Sequence, residues 1–330
     1  MGGDYGPRVI VAALISSLRK HSSVTALLFG DQQKLEAELS LCSDSSLLTR
    51  IQVKHCMYQV SDSDRPSTAI RDKRDSSMGK ALTAVAKADA AACVSAGNTG
   101  ALMALGMVTL KKLPGVSRPA ICTTFPTSRG KSYILDLGAN VDCTAQQLAE
   151  FALLGSLTVQ EIESIDRPLV RLLNVGSEAN KGRQVIKQTA ELLEAETLLN
   201  YCGYVEGDGI FQGLADVVVC DGFTGNVALK TSEGVARMVD DMVQSLATQS
   251  WLARLGALLI RGPLSVLKSR LNPAQYNGAY LLGLNGVVIK SHGGADEKAF
   301  GHAIDVAVEA AKHNLPSILS PILQSKLDCN

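Results

Sequence analysis

Short runs of β-branched and aliphatic residues recur along the chain. Each is followed by a glycine-rich polar turn and then by a stretch with apolar positions at helical spacing. That order predicts the βα half of a parallel-sheet fold. The apolar runs fall at 91–96, 134–137, 169–175, 215–220 and 286–289, and the helices behind them at 101–110, 145–157, 183–196, 227–243 and 297–313. The turns between are Gly97-Asn98-Thr99-Gly100, Gly138-Ala139-Asn140-Val141-Asp142, 176–182, Asp221-Gly222-Phe223-Thr224-Gly225-Asn226 and 290–296. In open parallel sheets such turns leave the carboxyl ends of the strands, so the five are expected to line one crevice. Helix N-termini pointing into it would favour a negative ligand.

One region breaks this rhythm. Between residues 242 and 295 there is no Asp or Glu, while Arg254, Arg261, Lys268, Arg270 and Lys290 all fall inside. At helical spacing Trp251, Leu252, Leu255, Leu258 and Leu259 share one arc of about 120°, with Arg254 and Arg261 on its flank. Gly262-Pro263 interrupts the stripe, which resumes at Leu264, Leu267 and Leu271. The pattern predicts a basic amphipathic helical hairpin over 242–282 within a single domain of 1–330. Such a hairpin could pack against a second copy of the chain, or dock an anionic membrane or an acidic protein. Its charges and Pro263 exclude a membrane span.

Composition agrees with a globular α/β protein. At 330 residues with 46% apolar and 19% charged positions the chain can bury a sizeable core and lacks the signature of disorder. Aromatic residues are only 4%, and small aliphatic residues with 29 Gly take their place. Lys plus Arg (32) balances Asp plus Glu (32), which excludes the global positive field of a nonspecific nucleic-acid binder. The 8 Cys are scattered without zinc or redox spacing, so reduced, cytosolic thiols are expected. The opening Gly-Gly-Asp does not read as an export signal.

The turns narrow the chemistry. Neither G-x-G-x-x-G after a first strand nor G-x-x-x-x-G-K-[ST] is present, so nicotinamide and nucleoside triphosphate readings lose ground. Turns rich in Asn, Thr, Ser and Gly suit a small tetrahedral anion held by N–H and hydroxyl donors. Candidate ligands of such an anion are Asn98, Thr99, Gly100, Asn140, Asp142, Thr224 and Gly225. Candidate catalytic groups are Lys181, as a point charge before a helix, Asp221 to orient its neighbours, Asn226 and His292. Asp296 could orient a neighbour or simply cap a helix. Cys220 would be the best-placed nucleophile, but the carboxylate of Asp221 beside it would suppress its thiolate.

Several of these stretches resemble the motifs of the bacterial phosphate acyltransferase family, PlsX. They are Met1-Gly2-Gly3-Asp4 with Gly6-Pro7, Ser95 to Ala101, Leu135 to Asp142, Asn174-Val175-Gly176, Asp221 to Asn226 and Val288 to Gly293. Arg71, Lys73, Ser76, Ser77 and Met78 resemble a further family segment that leads into a helix. The resemblance implies a homodimeric three-layer α/β/α fold with a Rossmann-like, mostly parallel sheet, akin to the isocitrate dehydrogenase and phosphotransacetylase group. It implies conversion of a long-chain acyl-acyl carrier protein and inorganic phosphate to acyl phosphate and free carrier, an early step of phospholipid synthesis. It further implies a cytoplasmic enzyme peripherally associated with the membrane, with no metal or organic cofactor. A downstream glycerol-3-phosphate acyltransferase is an implied partner. In that family a short apolar strand precedes the Met-Gly-Gly-Asp turn, whereas the numbering here starts at the turn. Without that strand the sheet would have a gap, and whether Asp4 and its turn belong to the site stays open.

The reaction needs no covalent enzyme intermediate. Much phosphate is dianionic at neutral pH and can attack a thioester once aligned, alignment being worth up to about 7 to 11 kcal/mol. The remaining need is donors for the tetrahedral oxyanion, each worth about 3 to 4 kcal/mol. Rival readings are a phosphotransacetylase using acyl-coenzyme A, a metal-dependent decarboxylating dehydrogenase, and a non-catalytic membrane scaffold. The dehydrogenase would need an Asp cluster and an Arg cluster that the turns do not offer.

Overall fold

Val217, Val218 and Val219 are fully buried although they are consecutive, so this strand is covered on both faces. The computed structural model, which describes residues 2–248, 262 and 276–329, shows how. Val217 and Val219 join one apolar cluster with Tyr133, Leu135 and Ile289; Val218 joins the opposite one with Ile134 and Val288. Helices cover each face, giving three layers.

In chain order the described elements begin with α1 (Gly6–Lys20), β1 (Ala26–Gly30), α2 (Gln32–Leu39), α3 (Ser45–Leu48) and β2 (Ile51–His55). Next come α4 (Pro66–Asp72), α5 (Ser77–Ala86), β3 (Ala92–Ser95), α6 (Thr99–Thr109), β4 (Ala120–Thr127) and β5 (Gly130–Leu135). They continue with α7 (Ala145–Glu163), β6 (Leu169–Leu173), α8 (Gln184–Glu194), β7 (Asn200–Val205), α9 (Gly207–Gln212), β8 (Val217–Val219) and α10 (Gly222–Thr248). After the segment outside the described residues come β9 (Ala279–Leu282), β10 (Val287–Lys290), α11 (Glu297–His313) and α12 (Leu315–Cys329). Polar side chains start the helices. Ser76 caps α5, Asn98 caps α6, Thr144 closes a capping box with Gln147 on α7, and Asp296 caps α11.

The main sheet has the order β3-β10-β9-β4-β5-β8-β6-β7, and β1 and β2 form a separate parallel pair. The sheet is parallel at both ends and antiparallel in its middle, at β10·β9, β9·β4 and β4·β5. This alters the single-crevice expectation. Following the pairings across the sheet, β3 and β10 run opposite to β5, β8, β6 and β7, so their turns leave in opposite senses. Register nevertheless brings the strand ends level: Lys290 pairs with Ala279, Tyr280 with Cys122, and Cys122 with Leu135. Three strand spacings separate β5 from β10, about 14 Å.

The expected 242–282 hairpin differs at both described ends. Residues 242–248 continue α10, and 279–282 form β9 between β4 and β10. Tyr280, Leu281 and Leu282 are buried in the sheet core. The absence of acidic residues, which set the boundary in the sequence, does not distinguish a buried strand from an amphipathic helix. Trp251, Arg254, Leu255, Leu258, Arg261, Lys268 and Arg270 lie outside the described residues.

Candidate active site

The turns gather in two groups joined by one helix. In the first, α10 is set hard against the loop that follows β5. Gly222 N–H donates to Asn140 O at 2.8 Å, Phe223 N–H to Val141 O at 3.4 Å, and Gly225 N–H to Asp221 O at 2.9 Å. Thr224 N–H donates to the Asp221 carboxylate at 2.7 Å. The first turn of α10 is therefore satisfied within the protein and offers no backbone donor to an anion, contrary to the expectation for Thr224 and Gly225. Their contribution is close packing and the Thr224 hydroxyl. Asn226, exposed at the next position, lies beside Gly138, whose added Cβ would meet the Asn226 amide oxygen at 3.7 Å.

Asp221 is buried and ion-paired with Arg183, a partner the sequence reading did not assign. The pair ties the start of α8 to the start of α10, so Asp221 acts as helix cap and strut. Lys181 stands exposed on the same loop with its ammonium 2.9 Å from Glu178, whose carboxylate holds the lysine pKa above its ordinary value. Asn140 is buried and used internally. Its amide donates to Pro119 O at 2.9 Å and to the Asp136 carboxylate at 3.0 Å. Asp142 is exposed and, among the described residues, has no side-chain partner.

The second group forms around β3 and β10. The N-terminal turn belongs to it: Asp4 N–H donates to Gly293 O at 2.9 Å, and a Cβ on Gly2 would meet Gly97 N at 3.3 Å. The turn is thus in contact with the loops after β3 and β10. Asn98 is consumed structurally. Its amide oxygen caps Ala101 N–H at 2.9 Å, and its NH2 reaches the carbonyl of Asp62 at 2.9 Å and that of Asp64 at 3.2 Å. Thr99 and Gly100 open α6 with no internal acceptor for their N–H groups among the described residues, so α6 retains the free donors that α10 lacks. His292 is anchored by Asn277, whose amide oxygen accepts its N–H at 2.9 Å, and its Nδ1 accepts from Gly294 N–H at 3.1 Å.

Helix α10 joins the groups. Lys230 lies one turn beyond Asn226 on the same face. Its ammonium is 3.2 Å from His292 Nε2 and 2.9 Å from Glu233. Lys290 lies behind them, and burial pushes its ammonium down to about 8, with Lys230 adding repulsion while Asp62 and Asp4 pull the other way. The i, i+4 spacing of Asn226 and Lys230 was present in the sequence, but only the crossing of α10 towards β10 gives it meaning.

The lysine supplies a stability test. An unfolded chain keeps its lysines charged to about pH 10. Between about 8 and that value the unfolded state therefore binds a proton the native state has lost, and stability must rise with pH across this window. Lys290→Met should stabilise the fold at neutral pH by up to about 3 kcal/mol, with the gain vanishing by about pH 10. Urea unfolding of both proteins across this range checks it. A difference independent of pH would show that the native lysine titrates normally.

Cys220 is fully buried, and burial together with Asp136 and Asp221 pushes its thiol well above the ordinary range. It is no nucleophile at neutral pH. Cys42, Cys56, Cys93, Cys122, Cys143 and Cys202 are also unpaired.

Comparison with known proteins adds to this geometry. The profile of a family described as "Fatty acid synthesis protein" matches residues 1–318. A phosphate acyltransferase from Nitrosococcus oceani is 48% identical over 324 residues, 98% of this chain and 95% of its own. One from Hydrogenovibrio crunogenus is 47% identical, covering 99% and 97%. The chain belongs to the phosphate acyltransferase family. It is an acyltransferase, and phosphate is its substrate. Among solved structures, EutD phosphotransacetylase from Staphylococcus aureus superposes with a TM-score of 0.59 at 19% identity over 93% of this chain and 91% of that one. A 4-hydroxythreonine-4-phosphate dehydrogenase from Klebsiella pneumoniae gives 0.53 at 12%, covering 93% and 94%. Both likenesses concern the fold. For this phosphate acyltransferase the α/β architecture with a largely parallel sheet is thereby shared with enzymes of more than one chemistry, and the reaction must be argued from the site. No described helix is long and apolar enough to cross a membrane.

Proposed function

We propose that the chain transfers a long-chain acyl group from the thioester of acyl-acyl carrier protein to inorganic phosphate, releasing acyl phosphate and the free carrier. Family membership across nearly the whole chain carries this reading. The polar residues along α10 support it. Phosphate is held between the open N-terminus of α6, at Thr99 and Gly100, and the exposed amide of Asn226, with Lys181 contributing charge. Its dianion attacks the thioester carbon, and the thiolate leaves with the electron pair of the C–S bond. With no reactive side chain at Cys220, direct attack needs no acyl-enzyme. The same reading has the enzyme working as a homodimer at an anionic membrane surface. There residues 251–271 contact lipid or carrier, and acyl phosphate passes to a glycerol-3-phosphate acyltransferase.

The test is phosphate-dependent loss of thioester from palmitoyl-acyl carrier protein, with acyl phosphate trapped as the hydroxamate. Cleavage of acyl-coenzyme A alone would move the enzyme to the phosphotransacetylase reaction. Asn226→Ala and Lys181→Ala should each raise the KM for phosphate at least tenfold, about 1.4 kcal/mol of lost binding. An unchanged phosphate KM in both would reject this placement.

A further inference from the structure

The contact between His292 and Lys230 has one donor too many. The ring Nδ1 faces Gly294 N–H at 3.1 Å, and the ring Nε2 faces the Lys230 ammonium at 3.2 Å. A neutral imidazole has one acceptor nitrogen and one N–H. Burial and the nearby Lys230 charge hold His292 below its ordinary pKa, so at neutral pH the ring is neutral. With Nδ1 accepting from Gly294, the ring proton sits on Nε2. It then stands beside the N–H groups of Lys230, and the two cannot satisfy each other. Both can be satisfied by a single oxygen placed between them, and a negative one most strongly.

The pair is held ready for that oxygen. The Glu233 carboxylate accepts one N–H of the Lys230 ammonium at 2.9 Å, and Asn277 fixes the backbone of His292. The other charges near the ring are Lys290 and Asp4. Lys230 also projects from the same face of α10 as Asn226, with Cβ atoms about 6 Å apart. An acyl carbon attacked by a phosphate lying against Asn226 would therefore carry its oxygen towards Lys230.

We propose that Lys230 and His292 form the oxyanion hole of the acyl transfer, an assignment that rests on the reading above. As a phosphate oxygen bonds to the thioester carbon, the carbonyl π pair moves onto the carbonyl oxygen, which Lys230 Nζ and His292 Nε2 receive. Collapse returns the pair, breaks the C–S bond and expels the thiolate. The proton given up by hydrogen phosphate ends on the carrier's sulfur through solvent. Lys230 is thus a catalytic residue that binds the transition state in preference to either substrate.

The variants Lys230→Met, Lys230→Arg, His292→Leu and His292→Gln separate this from a structural role, assayed with palmitoyl-acyl carrier protein and with palmitoyl-coenzyme A. Removing one such donor costs about 100- to 1,000-fold in kcat. Lys230→Met and His292→Leu should show that loss with the KM for phosphate within about threefold of wild type, the pattern of a group that acts only in the transition state. Lys230→Arg and His292→Gln keep a donor and should recover at least tenfold of it. An unchanged kcat in Lys230→Met, a loss confined to the phosphate KM, or no recovery in the donor-retaining variants would overturn the proposal while leaving the functional reading intact. Failure of the wild-type protein to cleave either thioester with phosphate would overturn both.

Discussion

Gly225→Ala should cost more than about 3 kcal/mol of stability and abolish acyl transfer, although it adds a single methyl group to a helix. An ideal Cβ at this position would lie 1.9 Å from the Asp136 carbonyl oxygen and 2.9 Å from Cys220 Sγ. The obstacle is backbone, which cannot rotate aside as a side chain could. Gly222 is similarly placed, 2.6 Å from Asn140 O. Relief requires the start of α10 to lift from the loop after β5, which breaks the bonds from Gly222 and Phe223 to that loop and displaces Asn226. Gly234 in the same helix is the control, because among the described residues nothing lies within 4 Å of its ideal Cβ. Gly234→Ala should stabilise by about 0.5 to 1 kcal/mol. Urea unfolding and hydroxamate trapping of the two variants check the contrast. Equal effects would mean that helix propensity, and not close approach, governs both positions.

That contrast shows where the sequence is legible. Apolar runs followed by polar turns mark β3, β5, β6, β8 and β10, and helical spacing places α11 at 297–313, because these strands are largely apolar, with exceptions such as Lys131 in β5 and Arg171 in β6, and α11 begins at a side-chain cap. Strand direction was not legible. A run such as 279–282 looks the same whether parallel or antiparallel, so the mixed centre of the sheet and the two-sided grouping of the turns emerged only from pairing. The site residues divide along a similar line. Asn98 and Asp221 have the residue types an anion site needs, but these are also the types that cap helices, and capping uses their side chains here. Lys230 and Arg183 carried no local signal, since each acts on a residue far away in the chain, His292 and Asp221.

A second large effect is expected at Asp136, which the turn motif contains but which no chemical reading of the turns selected. Its side chain is fully buried and accepts from Ile121 N–H at 2.8 Å, Ala139 N–H at 3.2 Å, and Asn140 through its N–H at 2.6 Å and its amide at 3.0 Å. Burial pushes its pKa up and these donors oppose the rise, so the carboxylate is costly to bury yet is what organises the loop after β5. Asp136→Ala leaves the N–H groups of Ile121, Ala139 and Asn140 without this acceptor and the Asn140 amide with Pro119 O alone, and should destabilise by about 3 to 5 kcal/mol. Asp136→Asn keeps the shape but turns an NH2 group towards other donors, so it should recover only part of that loss. Exposed Asp142, six residues further on, sets the comparison. Asp142→Ala should leave stability within about 0.5 kcal/mol, so any role it has with substrate would appear in KM alone. Were Asp136→Ala to unfold at the wild-type urea concentration, the loop that positions Gly138 against Asn226 would have to be held by α10, and the Asp136 hydrogen bonds would be a consequence of that packing.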